Sequence, residues 1–218
     1  MKIVSQPGLR STLAALILAS CFAPVAQADV IPYGNSGSYN AATYSFTATS
    51  TGDVTAYFVG GGSAGYENQM GLLINGVLSS AGYGLDNHTS LLGDSFNLGS
   101  VTAGDVLTFV LHNLTLGQDA YSDPSMNVGY DTAGAPGHNH IYSTAYTATS
   151  PSFLGVPPGT YAGFEDLRFP GSDYNYNDES FVFTNTTVRN QTVPEPSTLI
   201  LFGSTLLGFA WMRRRNVF

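Results

Sequence analysis

The sequence predicts an all-β fold, a sandwich or jelly roll, on three observations. Apolar residues alternate with small polar ones at strand period in several separate runs. Each run is bounded by Gly, Pro, Asn or Asp. Between residues 29 and 193 no stretch keeps a helical period for three turns. Composition agrees: with 43% hydrophobic residues the chain is too apolar for disorder, and with 25 glycines, 13 tyrosines and 13 phenylalanines it does not suit a helical bundle.

Taken in order, Tyr44, Phe46 and Ala48 place one face of the first strand, and Val54, Ala56 and Phe58 that of the second. Further β-rich runs lie at Gly71–Val77, Val106–His112, Ile141–Thr147, Thr160–Phe164 and Phe181–Val188. Strands at such intervals with Gly-rich connections imply a sandwich. Gly117 to His140 is the longest irregular region and reads as a surface loop.

Both ends of the chain read as addresses. Lys2 and Arg10 precede an apolar run from Leu13 to Leu18, and Ala26-Gln27-Ala28 closes the segment with small residues, the pattern of a signal peptide over residues 1–28 cleaved after Ala28. Leu18-Ala19-Ser20-Cys21 also fits a lipoprotein box, in which Cys21, the only cysteine, carries lipid. At the other end, residues 194–218 hold Pro194-Glu195-Pro196, an apolar stretch from Ser197 to Met212, and Arg213-Arg214-Arg215. As a helix that stretch spans about 24 Å, short of a ~30 Å hydrocarbon core. Trp211 and snorkelling arginines make up part of the difference, and the arginines hold the tail on the cytoplasmic side.

This tail resembles the PEP-CTERM sorting signal of Gram-negative bacteria. The resemblance implies export by the secretion machinery, a membrane-anchored precursor held by the C-terminal helix, processing by exosortase, and a product at the cell surface or outside the cell.

The domain between the addresses, residues 29–193, is a suitable size for a single core. It holds all the acids except Glu195 and only two bases, Arg168 and Arg189, so 14 acids face 2 bases for a net −12. Such a surface repels nucleic-acid phosphates and anionic membranes and attracts divalent cations. Charge alone does not separate this from an ordinary acidic secreted surface.

Two chemical motifs match on paper and fail in context. Gly60-Gly61-Gly62-Ser63-Ala64-Gly65 spells both a nucleophile elbow and a dinucleotide fingerprint, but each needs a helix directly afterwards, and a strand-like run follows. His138-x-His140 offers two zinc ligands without a spacing that names a third; Asp131, His88 and His112 are the remaining choices, and loop histidines are otherwise solvated.

The best chemistry is acidic: Glu165 and Asp166 at the end of a strand, then Asp173, Asn175 and Asn177 alternating with tyrosines, then Asp178 and Glu179 at once. Calcium takes six to eight oxygen ligands from carboxylates, amides and backbone, which this pattern supplies. The run opens like an EF-hand, yet Asp178 stands where the turn glycine belongs and Thr184 where the bidentate glutamate belongs. Asp and Asn are also ordinary turn formers. A secreted glycoside hydrolase using Glu165 and Asp178 as paired carboxylates is the competing class.

Gly163-Phe164-Glu165-Asp166-Leu167 and Asp173-x-Asn175-x-Asn177-Asp178, followed by Phe181-Val182-Phe183, resemble the domain-of-unknown-function family numbered 4114. Ala64-Gly65-Tyr66-x-Asn68-x-x-Gly71 is similar to the N-terminal part of such proteins. The resemblance implies a β-sandwich with a calcium site and no established activity. The reading is therefore a non-enzymatic matrix or adhesion component that binds calcium for stability and associates with exopolysaccharide, with Tyr121, Tyr130, Tyr174 and Tyr176 either stacking on sugars or half-buried.

Overall fold

The computed structural model describes residues 37–61, 64–132, 136–148, 153 and 155–191. The signal segment with Ala26 and Ala28 lies outside the described residues, as do Pro194, Glu195, Pro196 and Arg213 to Arg215. No helix among the described residues is long and apolar enough to cross a membrane.

Two antiparallel sheets face each other. The first contains β1 (Thr43–Ala48), β3 (Asn68–Ile74), β4 (Val77–Leu78), β6 (Val106–Asn113), β7 (Gln118–Tyr121) and β11 (Thr186–Gln191). Its order is β11-β1-β6-β3-β4, with β7 paired to the second half of β6. The second contains β2 (Gly52–Gly60), β5 (Ser95–Val101), β8 (Ile141–Tyr146), β9 (Gly159–Phe164) and β10 (Glu179–Phe183), in the order β5-β2-β10-β9-β8. The first two alternating runs thus form neighbours in chain but strands of opposite sheets.

Period-two alternation decides which side chains meet. Phe46, Met70, Leu72, Leu107, Phe109 and Leu111 point inward from the first sheet, and Val54, Ala56, Phe58, Phe164, Phe181 and Phe183 from the second. Phe109 and Phe183 stack across the gap with ring centroids 3.7 Å apart. Apart from Ala56, each such side chain contributes about 1.5–3 kcal/mol by leaving water. On the outer face of the second sheet, Val59, Tyr161 and Val182 form a smaller cluster with Tyr146 and Val156.

Three expectations are corrected. The Phe181–Val188 run is two strands: β10 stops at Phe183, and Asn185 at φ 56° turns the chain from one sheet to the other. The Asn185 amide fixes this corner, accepting from Ser50 N and donating to Ser50 O, both at 2.9 Å. The Gly71–Val77 run likewise breaks at Asn75-Gly76, both left-handed, where a tight hairpin joins β3 to β4. Finally, Gly117 to His140 is not simply a surface loop. It supplies β7 and a short 3-10 helix at Pro124–Gly129, and it buries Asn127, Tyr130, Asp131, Asn139 and His140.

Candidate functional site

The acidic residues gather at one end of the sandwich, where β9 and β10 meet. Glu179 pairs with Phe164, so the residues after β9 and before β10 leave the sheet side by side. Asp178 N donates to Phe164 O, and Asp178 Oδ2 accepts from Asp166 N at 2.8 Å. Two glycines permit this closeness. A Cβ on Gly163 would collide with the carbonyl oxygen of Tyr176, and one on Gly61, at φ 117°, with that of Asp178.

Tyr174 (φ 56°) and Tyr176 (φ 52°) hold left-handed backbone within the Ser172–Asp178 loop, a conformation costing on the order of 1–3 kcal/mol for a non-glycine residue. Their surroundings hold them there. Tyr176 is fully buried and its hydroxyl accepts from Asn40 N at 2.8 Å, while Tyr174 O accepts from Gly37 N and its ring packs edge-on against Tyr39. Tyr130 is buried as well, donating to Asp166 O. Tyr130 and Tyr176 are therefore corrected as sugar-stacking candidates: both are structural. Tyr121 and Tyr174 are half-buried.

Of the six proposed ligands, Glu165, Asp166 and Asp178 converge, one carboxylate oxygen of each lying within 4.8 Å of the others. The backbone brings them together, because Glu165 and Asp166 continue β9 and Asp178 precedes β10. Asp173 is exposed, and its charge acts on all three. Asp166, Asp173, Asn175, Asn177, Asp178 and Tyr66 line an open cleft of about 480 Å³. Within it the asparagines also shape the loop: Asn175 Nδ2 donates to Asp173 Oδ2 at 2.7 Å, and Asn175 Oδ1 accepts from Asn177 N at 3.0 Å.

These carboxyls are short of donors. Glu165 is 1% exposed, and its Oε2 has no hydrogen-bond partner among the described residues. Burial, then the charges of Asp178 and Asp173, push its carboxyl up to about 8. Burial, then Asp166, push Asp178 up to about 7, and burial raises Asp166 too. The cation nearest in sequence does not relieve them. Arg168 sits over the Tyr130 ring, 5.9 Å from its centroid, and donates to Gln118 Oε1.

The histidines have a different role from either one expected of them. Both are packed against Asp131, one of the third ligands considered, but as hydrogen-bond partners: among the described residues only Glu165, Asp166 and Asp178 bring three ligand atoms within metal-binding reach of one another. His140 is buried, with Nε2 2.9 Å from Asp131 Oδ1 and Nδ1 2.9 Å from Glu165 O. His138 stacks on Phe169 at 3.5 Å, its Nδ1 3.3 Å from Asp131 Oδ2. Backbone N–H groups of His138 and Phe169 complete the shell around Asp131. Burial opposes ionisation of Asp131, but these bonds outweigh it and hold the carboxyl at about 2. His88 bonds Ala64 O and His112 bonds Asp119, both elsewhere. The glycine motif at 60–65 leads into β3 rather than a helix, so neither nucleotide nor nucleophile chemistry has its scaffold.

Glu179, in the acidic run, and Asn68, in the Ala64–Gly71 motif, stand outside the ligand set that the sequence suggests. Both are 0% exposed at this end, and strand parity with Phe181 and Met70 places each on the inward face.

An all-β sandwich with a carboxylate-lined cleft at one end is the class of protein this fold and site define. Residues 192–215 match the PEP-CTERM protein-sorting motif, which implies an exported protein processed by exosortase from a membrane-anchored precursor. No curated protein and no solved structure matches the chain.

Proposed function

We propose that the domain binds calcium through Glu165, Asp166, Asp173, Asn175, Asn177 and Asp178, and that the ion locks the end of an exported surface or matrix component associated with exopolysaccharide. The observation that carries the calcium reading is the convergence of three carboxylates, one of which, Glu165, has an oxygen with no hydrogen-bond partner among the described residues. An all-oxygen, strongly anionic donor set suits a hard divalent cation of calcium's size. The resemblance of Gly163–Leu167 and Asp173–Asp178 to the family numbered 4114 points the same way.

The polysaccharide association rests on export and on the acidic surface, which a divalent ion bridges to anionic glycans. Glu165, 1% exposed, is poorly placed for the hydrolase reading, which needs both carboxyls in reach of a glycosidic bond.

Calcium binding the folded state at 100 times its dissociation constant adds about 2.7 kcal/mol, equivalent to a rise in melting temperature of about 5–10 °C for a chain of this size. Calorimetry with calcium and with chelator measures it, and superimposed traces remove the calcium reading. An activity on polysaccharide lost in Glu165→Gln, with melting unchanged, reverses the ranking against the hydrolase.

A further inference from the structure

Behind the converging carboxylates lies a second set of acceptors that the calcium reading does not use. Glu179 pairs with Phe164 on β9 and alternates with Phe181 and Phe183, all three of them core residues, so its side chain enters the space between the sheets. It is 0% exposed, and neither Oε1 nor Oε2 has a partner among the described residues. From the opposite sheet Asn68, at the same strand parity as the core residues Met70 and Leu72, also faces inward. Its Nδ2 donates to Asp166 Oδ2 at 2.8 Å, and its Oδ1 has no partner among the described residues. Asp166 and Asp86 both lie near enough to act on Glu179 through their charge.

Three buried oxygens thus lack a partner, and all three are acceptors. Such orphans are rare because each costs the desolvation of a polar group. A proton on Glu179 supplies a single donor. A divalent cation held between Glu179 and Asn68 would satisfy all three oxygens together, and a glutamate offering both oxygens beside an amide carbonyl is calcium-type chemistry.

We propose that Glu179, Asn68 and Asp166 hold a second calcium ion, deeper than the first, with Asp166 shared between the two. Glu179 lies outside the 4.8 Å carboxylate group, so the inner ion is a separate site reached through Asp166. The proposal goes beyond the outer site and rests on that reading only through this shared ligand.

The test counts bound calcium on the full-length chain in detergent, stripped with chelator and titrated with calcium chloride, by native mass spectrometry and calorimetry. Two ions per wild-type chain and one per Glu179→Gln chain are expected, since glutamine keeps the shape and the neutral form of the acid but loses the charge. One ion in both proteins overturns the inner site and leaves the outer reading standing, and no ion in the wild type removes both. Two ions in both proteins overturns the role of Glu179. Should Glu179→Gln fail to fold, the wild-type count decides alone, a count of one overturning the second ion.

Discussion

Two buried acidic centres share the loop that follows β9. Asp131 is ringed by two backbone N–H groups and two imidazole nitrogens, and its carboxyl is held at about 2. Glu165, Asp166 and Asp178 accept a single N–H bond each and lie close to one another, and Glu165 and Asp178 are pushed up to about 8 and about 7. Burial is common to both centres, so donors make the difference. The Asp131 centre is complete within the chain. The other is completed by protons or by a cation from outside.

The comparison is broken most directly at Asp131. Asp131→Ala leaves buried donors and His140 without their acceptor, at a cost of about 3–5 kcal/mol. Chemical denaturation should give the same loss in calcium and in chelator, because the centre is self-sufficient. A loss that calcium abolishes would merge the two centres into one.

The next effect is opposite in sign at the two places. Glu165 and Asp178 have folded-state values raised above those of the unfolded chain, so their contribution is full below 4.5 and 3.8 and is lost as pH rises towards about 8 and about 7. Asp131 is depressed, so its contribution is full above 3.8 and is lost as pH falls through about 2. The metal-free protein should be most stable between 3.8 and 4.5 and should weaken towards pH 8, by at most ~1.4 kcal/mol per pH unit for each group titrating. Calcium should flatten the alkaline limb and leave the acid limb unchanged. Thermal melts across that range in chelator and in calcium check both limbs.

A smaller loss is expected at the backbone. Gly163→Ala drives a Cβ into Tyr176 O and should cost about 1–3 kcal/mol. It should also weaken calcium affinity in titration calorimetry, since the loop has to shift away from β9. Least of all, Asn175→Ala removes the Asp173 and Asn177 hydrogen bonds from an exposed turn, about 1 kcal/mol by denaturation.

Much of the sandwich is legible in the sequence because alternation is a local signal. β1 and β2 carry it plainly, and β6, β8 and β9 are legible as β-rich runs between turn residues. β5 escapes it for a physical reason: the bulge at Gly99, φ 124°, puts Leu98 and Val101 on the same inward face although they are three positions apart. β7 escapes because Ala120 is its only buried side chain. The corner at Asn185 is hidden because strands on either side of it are equally β-prone. At the site, the carboxylates stand out by composition. The inward placement of Glu179 follows from its spacing to Phe181 and Phe183, but the Asn- and Asp-rich turn directly before it hides where the strand begins. The Asp131 centre is invisible in one dimension, since its donors come from residues seven, nine and 38 positions away.

β11 is an edge strand whose final described residue, Gln191, pairs with Thr43, and only Thr192 and Val193 separate it from Pro194. Fully stretched, a residue covers no more than ~3.6 Å. A folded sandwich therefore keeps its sorting tail on a short leash. An enzyme working at that tail has to approach the sheet edge closely or peel the last strand away, so cleavage and folding are in mechanical conversation.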